Sequence, residues 1–476
     1  MSPIMPTPVN KPRLINSFYT RVVYPLLQSS SYRGLPRLLK QNGERERLSL
    51  EENRRQQWDS LLHLLQHAYD STPFYRRRFE EAGLQPRDIA SPADLRKLPP
   101  LTRDDLRLHQ DELWSRRYQR NDLLSAATGG TTDTPIPLLR APEAIPRKAA
   151  VHSRFNSWAG MWPGDKVFYL WGARVDYPEN PSWRWRLYDR YLMRRIWAPT
   201  SMFNEQVLES YRQTLNRFRP RILYGYPTPI ALFCEFLRDS GRPFHRPASV
   251  ISTAEPLLPQ HRQVIEQTLG CSVYELYGSR EFGMIAAECE CHQGLHLNPS
   301  AAYLELLPVE GAELDGLHEV LVTDLLNEGM PLIRYKINDC TRVGPEECPC
   351  GRGYPLIQQI TGRTMDNFYL PNGDVVPGIS LQNRVIKVCP GVKKIQVIQD
   401  TLSEFRVRFV PGDSFSPDDL KPLQHKLDEY FGNSVRWRFE KVDDIERERS
   451  GKTRFCISHV PRPLPSSRTG PNAETR

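Results

Sequence analysis

Apolar and polar positions run through this chain in two textures. Residues 49–83 read as helical, because Leu61, Leu62, Leu64, Leu65 and Ala68 form a stripe at helical spacing and Pro73 with Phe74-Tyr75 marks a break. Ser91-Pro92-Ala93-Asp94 reads as a helix start. From residue 167 short apolar runs take over. Residues 167–171, 221–226, 249–253 and 272–277 are expected strands, with helices following to Leu237 and over 259–269. Strands of that length alternating with helices predict a covered parallel sheet. Ligands bind at the carboxyl ends of such strands, where Gly225-Tyr226-Pro227, Thr253 to Pro256 and Tyr277-Gly278 fall.

Beyond about residue 298 the texture turns β-rich, at 302–307 and 319–323. A small α+β unit closes the pattern, with strands at 395–400, 405–410, 435–441 and 455–459 and a helix over 417–431. A chain of 476 residues exceeds one hydrophobic core. The expected class is therefore α/β. A large multi-sheet N-terminal domain spans 1–362, a hinge 363–366, and a small mobile α+β domain 367–460. The Pro- and Ser-rich tail 461–476 is expected to be disordered. The apolar stretch 18–27, broken by Arg21 and Pro25, is expected to pack on the large domain rather than to touch a membrane.

Composition narrows the function. No apolar run reaches the ~18 residues of a membrane span, and residues 1–16 lack the apolar core of a signal peptide. The expected location is cytoplasmic, with reduced thiols. The net charge of +8 suits ATP, CoA or a membrane surface as well as it suits plain arginine abundance. No interleaved aromatic and basic motif points to nucleic acid.

The candidate chemistry is spread along the chain. In the run 128–135, Gly129 and Gly130 allow backbone N–H groups to converge on an anion, and Thr128, Thr131 and Thr132 add hydroxyls. A polar turn is the alternative. Glu281, just after Tyr277-Gly278, is a hard oxygen donor suited to Mg²⁺ beside nucleotide phosphates, or else a solvated carboxylate. Tyr277 suits a purine face. Asp339 is suited to ribose hydroxyls or to a plain turn. Lys452, after Ser450-Gly451, carries a point charge on a long stem that can reach a cleft. Separately, the Cys-x-Cys pairs Cys289 with Cys291 and Cys348 with Cys350, together with His296, fit a structural Zn²⁺. Free thiols are the alternative. Tyr169, Trp171 and Tyr226 end strands near the expected site, as an acyl pocket or as core.

Taken in order, these motifs resemble the adenylate-forming superfamily, in particular its phenylacetate–CoA ligase-like branch. The resemblance covers nearly the whole chain. It implies that residues 128–132 form the phosphate loop, that Ala254, Glu255 and Pro256 line the adenine pocket, and that Tyr277 to Glu281 is the Tyr-Gly-x-x-Glu element. It implies that Asp339 holds the ribose, that Gly362-Arg363 is the hinge, that Lys452 is the catalytic lysine, and that His296 can replace Cys291 in the zinc set. The opening segment, with His67-Ala68-Tyr69 and Thr72 to Tyr75, looks like the sub-branch of capsular polysaccharide biosynthesis proteins. The implied activity is ATP- and Mg²⁺-dependent conversion of a carboxylic acid to acyl-AMP, then transfer to CoA, a carrier thiol or an amine. Three positions depart from the pattern: Asp133 replaces a loop glycine, Met365 replaces an acidic hinge residue, and residues 369–378 lack the run found in phenylacetate ligases. They motivate a second reading, a degenerate nucleotide-binding partner in surface-polysaccharide assembly.

Overall fold

A computed structural model of the chain describes residues 12–26, 34–127, 136–171, 182–200, 204–308, 318–360, 368–376, 381, 388–389, 391–412, 415–432, 434–445 and 455–460. The expected Thr128, Gly129, Gly130, Thr131, Thr132, Arg363 and Lys452 lie outside the described residues, as do Asp133, Met365, the hinge and the tail.

Two short strands, β1 (Leu124–Ala127) and β2 (Pro137–Arg140), pair antiparallel on either side of the run 128–135. The parallel layer comprises β3 (Val167–Trp171), β4 (Arg195–Pro199), β5 (Ile222–Gly225), β6 (Ser249–Thr253) and β7 (Val273–Ser279), in the spatial order β4-β3-β5-β6-β7. Strands β5 and β6 are buried along their whole length, as expected of central strands covered on both faces. The connecting helices start on proline, at Pro227–Ser240 and Pro259–Leu269, because the missing N–H costs nothing in the first turn. The second stops at Gly270, whose left-handed φ of 69° caps the helix.

The sheet then continues antiparallel through β8 (Gly283–Glu288) and β9 (Leu295–Leu297). A separate antiparallel sheet holds β10 (Ala302–Pro308), β11 (His318–Asp324) and β12 (Tyr335–Thr341). Strand β13 (Leu356–Ile357) returns to pair with β9 and completes eight strands. Strand β4 and the antiparallel continuation go beyond the parallel sheet that the apolar runs predict.

The described residues between 368 and 460 form a separate C-terminal α+β domain with its own core. After the hairpin of β14 (Phe368–Tyr369) and β15 (Val375–Val376) come β16 (Val392–Gln399), β17 (Glu404–Pro411), β18 (Arg436–Lys441) and β19 (Cys456–Ser458), ordered β18-β17-β16-β19. Leu423, Leu427 and Phe431 of the helix Leu420–Phe431 join a core with Phe368, Phe405 and Phe455.

The N-terminal stretch differs from expectation. Residues 14–26 are helical, but only Asn16 and Tyr19 are buried there. The Asn16 amide donates to Pro163 O (3.0 Å) and Asp165 Oδ1 (2.9 Å), while Leu14, Phe18 and Leu26 face outward. The stretch thus packs on the domain through Asn16 and Tyr19, whereas most of its apolar side chains do not.

Candidate functional site

The parallel registers decide where the strand ends lie. Leu170 pairs with Gly225, Gly225 with Ser252, and Ser252 with Glu275. Trp171, Tyr226, the loop after Thr253, and Tyr277 therefore stand in a row at one edge of the sheet. The loop begins with Ala254 at φ 70°, a left-handed conformation that costs a non-glycine residue about 1 kcal/mol or more. It is held from both sides. Thr253 Oγ1 donates to Leu276 O (2.9 Å), and the Glu255 carboxylate accepts the Thr228 N–H (3.4 Å) at the start of the helix Pro227–Ser240. Burial pushes Glu255 up to about 7, against that hydrogen bond. Pro256 follows, partly exposed.

Tyr277 is buried, and its hydroxyl donates to Asp339 Oδ2 at 3.0 Å, 62 positions away. Burial, then the Asp339 charge, raise this phenol well above its ordinary value, so it stays protonated and donating. Asp339 sits in β12 after Asn338, whose φ is 62°. Gly278 faces β8 so closely that a side chain there would collide with Gly283 O. Glu281 lies in the turn that follows and is partly exposed. Its backbone carbonyl accepts from Lys148 Nζ (3.2 Å), which also pairs with Asp324 Oδ2 (2.6 Å). The Arg140 guanidinium, on β2, donates to the Arg280 carbonyl. Lys148, Asp324 and Arg140 fix this turn, and nothing in the local sequence announces them. The structure therefore gathers Ala254, Glu255, Pro256, Tyr277, Gly278 and Asp339 at one edge, with Glu281 in the next turn.

An aromatic wall occupies the far end of the same edge. Tyr169 stacks on Trp197 with centroids 4.2 Å apart, and Trp171 lies 4.8 Å from Tyr226. His152 Nε2 meets Tyr224 OH at 3.1 Å, and burial lowers this imidazole to about 4, keeping it neutral.

Cys289, His296, Cys348 and Cys350 bring their ligand atoms within 4.8 Å of one another. Cys289 Sγ and Cys348 Sγ are 3.6 Å apart, too far for a disulfide at ~2.05 Å. A tetrahedron with Zn–S near 2.3 Å has sulfur–sulfur edges of about 3.8 Å and sulfur–nitrogen edges of about 3.6 Å. Cys350 Sγ and His296 Nε2 lie 3.4 Å apart, so the donor set fits zinc. The other imidazole nitrogen faces Tyr354 O (3.4 Å), and Cys350 Sγ accepts the Arg352 N–H (3.5 Å). The Cys289 thiol hydrogen bond, with His296 and Arg352, holds Cys350 well below the ordinary thiol range, and Cys289 is raised in turn. Cys291, also expected as a ligand, falls outside this set of four. Its backbone N–H instead donates to Cys289 Sγ (3.4 Å).

A cavity of about 790 Å³ opens beside the Cys289 loop, lined by Arg262, Glu275, Glu288, His292 and Gln358. Burial, then the neighbouring Glu288, push Glu275 up to about 8. Burial opposes ionisation of Glu288 too, but His292 and Arg262 outweigh it and hold that carboxyl low. As pH rises from 4.5 toward 8, the unfolded chain gives up the Glu275 proton while the fold keeps it. The stability Glu275 lends is complete below 4.5 and is lost by about 8, at no more than about 1.4 kcal/mol per pH unit. Glu275→Gln is expected to gain melting temperature relative to the parent as pH rises from about 5 to 8. A difference that stays constant with pH would refute this.

The CapK C-terminal domain family matches residues 368–459. Protein CapK of Staphylococcus aureus is 26% identical over 395 residues, covering 82% of this chain and 86% of that protein. The phenylacetate-coenzyme A ligase of Pseudomonas putida is 30% identical over 353 residues, covering 72% of this chain and 77% of that protein. A crystal structure of 2-hydroxyisobutyryl-CoA ligase, in its thioesterification state, shares the fold at a TM-score of 0.58 and 22% identity, over 87% of this chain and 91% of that one. The fold and these relatives define an adenylate-forming enzyme, a ligase that activates a carboxylic acid with ATP. The chain belongs to the phenylacetate–CoA ligase family.

Proposed function

We propose that this ligase converts a carboxylic acid to its acyl-adenylate and passes the acyl group to a thiol. The observation that carries the reading is the row of strand ends, in which the strained loop at Ala254 and the Tyr277–Asp339 pair share one edge. In the first half-reaction a substrate carboxylate oxygen attacks the α-phosphorus of ATP. The bond to the bridging oxygen breaks and pyrophosphate leaves with the electron pair. Ala254 to Pro256 and Tyr277 form the adenine pocket, and Asp339 accepts hydrogen bonds from the ribose. Thr131, with Thr128, Gly129, Gly130 and Thr132, guides the pyrophosphate, while Lys452 offsets the charge that crowds onto the α-phosphate.

Mg²⁺ would neutralise the phosphate oxygens. Glu281 would hold it, since its partly exposed carboxylate carries no hydrogen bond among the described residues. Rotation of the small domain about residues 363–366, including Arg363, then withdraws Lys452 and admits the acceptor. A thiolate attacks the acyl carbon and AMP departs. We take CoA as the acceptor, with a carrier thiol or an amine as alternatives the assay separates. Zinc at Cys289, His296, Cys348 and Cys350 plays a structural part, with Cys291 supporting the loop. The aromatic wall supports an acid with an aromatic or alicyclic body. The CapK match, with the capsular-type opening segment, supports a place in polysaccharide or secondary-metabolite synthesis.

The test is ATP–pyrophosphate exchange across a panel of aromatic, alicyclic and hydroxy acids. Exchange is expected only with a carboxylate present, and added CoA should give a thioester visible by mass spectrometry. Calorimetric ATP binding with no exchange from any acid would overturn the reading in favour of a nucleotide-binding partner protein.

A further inference from the structure

Exposed large hydrophobic side chains are not scattered over this protein. Nine of the thirteen found among the described residues lie on two helical stretches. Leu14, Ile15, Phe18, Val22 and Leu26 project from residues 14–26, at helical steps of three or four. Trp183, Leu187, Tyr188 and Tyr191 project from residues 183–192. Leu14 is 92% exposed and Trp183 67%, far above what packing against a neighbour allows. Both stretches contain a wide π-turn, at Tyr19–Val23 and Tyr188–Leu192.

The two stretches are neighbours. Arg194, just past the second, lays its guanidinium 5.9 Å from the centre of the Tyr19 ring on the first. Both are fastened to the segment entering β3. Asn16 donates to Pro163 O (3.0 Å), and the Val167 N–H donates to Arg194 O (3.0 Å). Their buried sides are thus spent on one anchor.

Charge selects the occupant. Residues 12–26 carry no acid and an exposed Arg21, Arg13 being paired with the buried Asp165, while residues 182–194 carry Arg184, Arg186, Arg190 and Arg194. Asp189 is the single acid in the second stretch, and it is buried against Arg195 and Trp197. Trp, Tyr, Phe and Leu beside arginine, with exposed acids missing, is the composition of helices that lie in a membrane interface. Trp and Tyr settle at headgroup depth, and arginine stems let their heads reach anionic phosphates. A second copy of this chain would bring one arginine-bearing face against another, which repels. We propose that these paired helices seat the enzyme peripherally on an anionic lipid bilayer. No helix among the described residues is long and apolar enough to cross one.

The test is flotation of the full chain with phosphatidylcholine vesicles, plain or with about one third phosphatidylglycerol. Binding is expected to be about tenfold stronger on the anionic vesicles and to weaken as salt rises. Phe18→Ser combined with Trp183→Ser should cut it about tenfold, with the melting temperature and ATP–pyrophosphate exchange kept. Arg184→Gln with Arg190→Gln should remove mainly the anionic preference. Three results would overturn the proposal: no flotation on either vesicle, undiminished flotation of the Phe18/Trp183 variant, or a solution dimer that this variant dissociates. The last would mean that a second copy covers the face.

Discussion

Lys452→Ala is expected to lower carboxylate-dependent ATP–pyrophosphate exchange by 10²- to 10³-fold, on the order of 3–4 kcal/mol of transition-state stabilisation. The transition state of adenylation gathers charge from an incoming carboxylate and a triphosphate onto few oxygens. A preorganised ammonium acts on that charge and on little else. The KM for ATP should therefore move far less than kcat. The melting temperature should hold, because Lys452 belongs to a highly charged run of the sequence. Transfer from a preformed acyl-adenylate to CoA should also survive, since the proposed rotation withdraws Lys452 before that step. Glu281→Gln makes the contrast. It should raise the Mg²⁺ concentration needed for half-maximal exchange while leaving saturating rates closer to the parent. Equal exchange by the Lys452 variant would remove the lysine from the chemistry.

Much of this arrangement is legible in the sequence, for identifiable reasons. The parallel half announces itself because central strands such as Ile222–Gly225 are buried throughout and so read as short apolar runs between helix signals. Strand β12 reads only as a polar stretch, because Lys336 to Asp339 are all partly exposed and Asn338 breaks its alternation. The Tyr277–Asp339 hydrogen bond joins two sheets, and no local pattern can reveal it. The outward face of residues 14–26 escaped for a related reason. A stripe at helical spacing is the same whether or not a surface waits for it, and here only Asn16 and Tyr19 find one. For the cysteines, two matched Cys-x-Cys pairs suggest a symmetrical set. Pairing with Leu356 in β13 holds His296 in a fully buried site, whereas Cys291 sits in a turn. Registry selects the imidazole, and registry is not local.

Purified protein is expected to hold close to one equivalent of zinc, and Cys350→Ser or His296→Ala to hold less than half. The loss should be severe, because structural zinc in small sites contributes on the order of 10 kcal/mol to the folded form. The four ligands span two segments nearly sixty positions apart, and the metal closes that loop. Around it, Arg352 pairs with Glu290 (2.9 Å), lies 4.6 Å from the Trp158 ring, and Trp158 Nε1 donates to Glu46 Oε1 (3.1 Å). Without zinc, the buried Cys289 and His296 keep only long thiol and imidazole hydrogen bonds, of 3.4 to 3.6 Å, inside that packing. The damage should also travel. Strand β8 runs from the turn after Glu281 to Glu288, one residue before Cys289, so loosening the cluster frees one end of the strand that positions Glu281. Chelation at neutral pH should lower the melting temperature by more than 10 °C, roughly several kcal/mol for a chain of this size. ATP–pyrophosphate exchange should fall before the protein unfolds. Cys291→Ser should leave the zinc content unchanged, and a zinc loss equal to that of Cys350→Ser would move Cys291 into the ligand set.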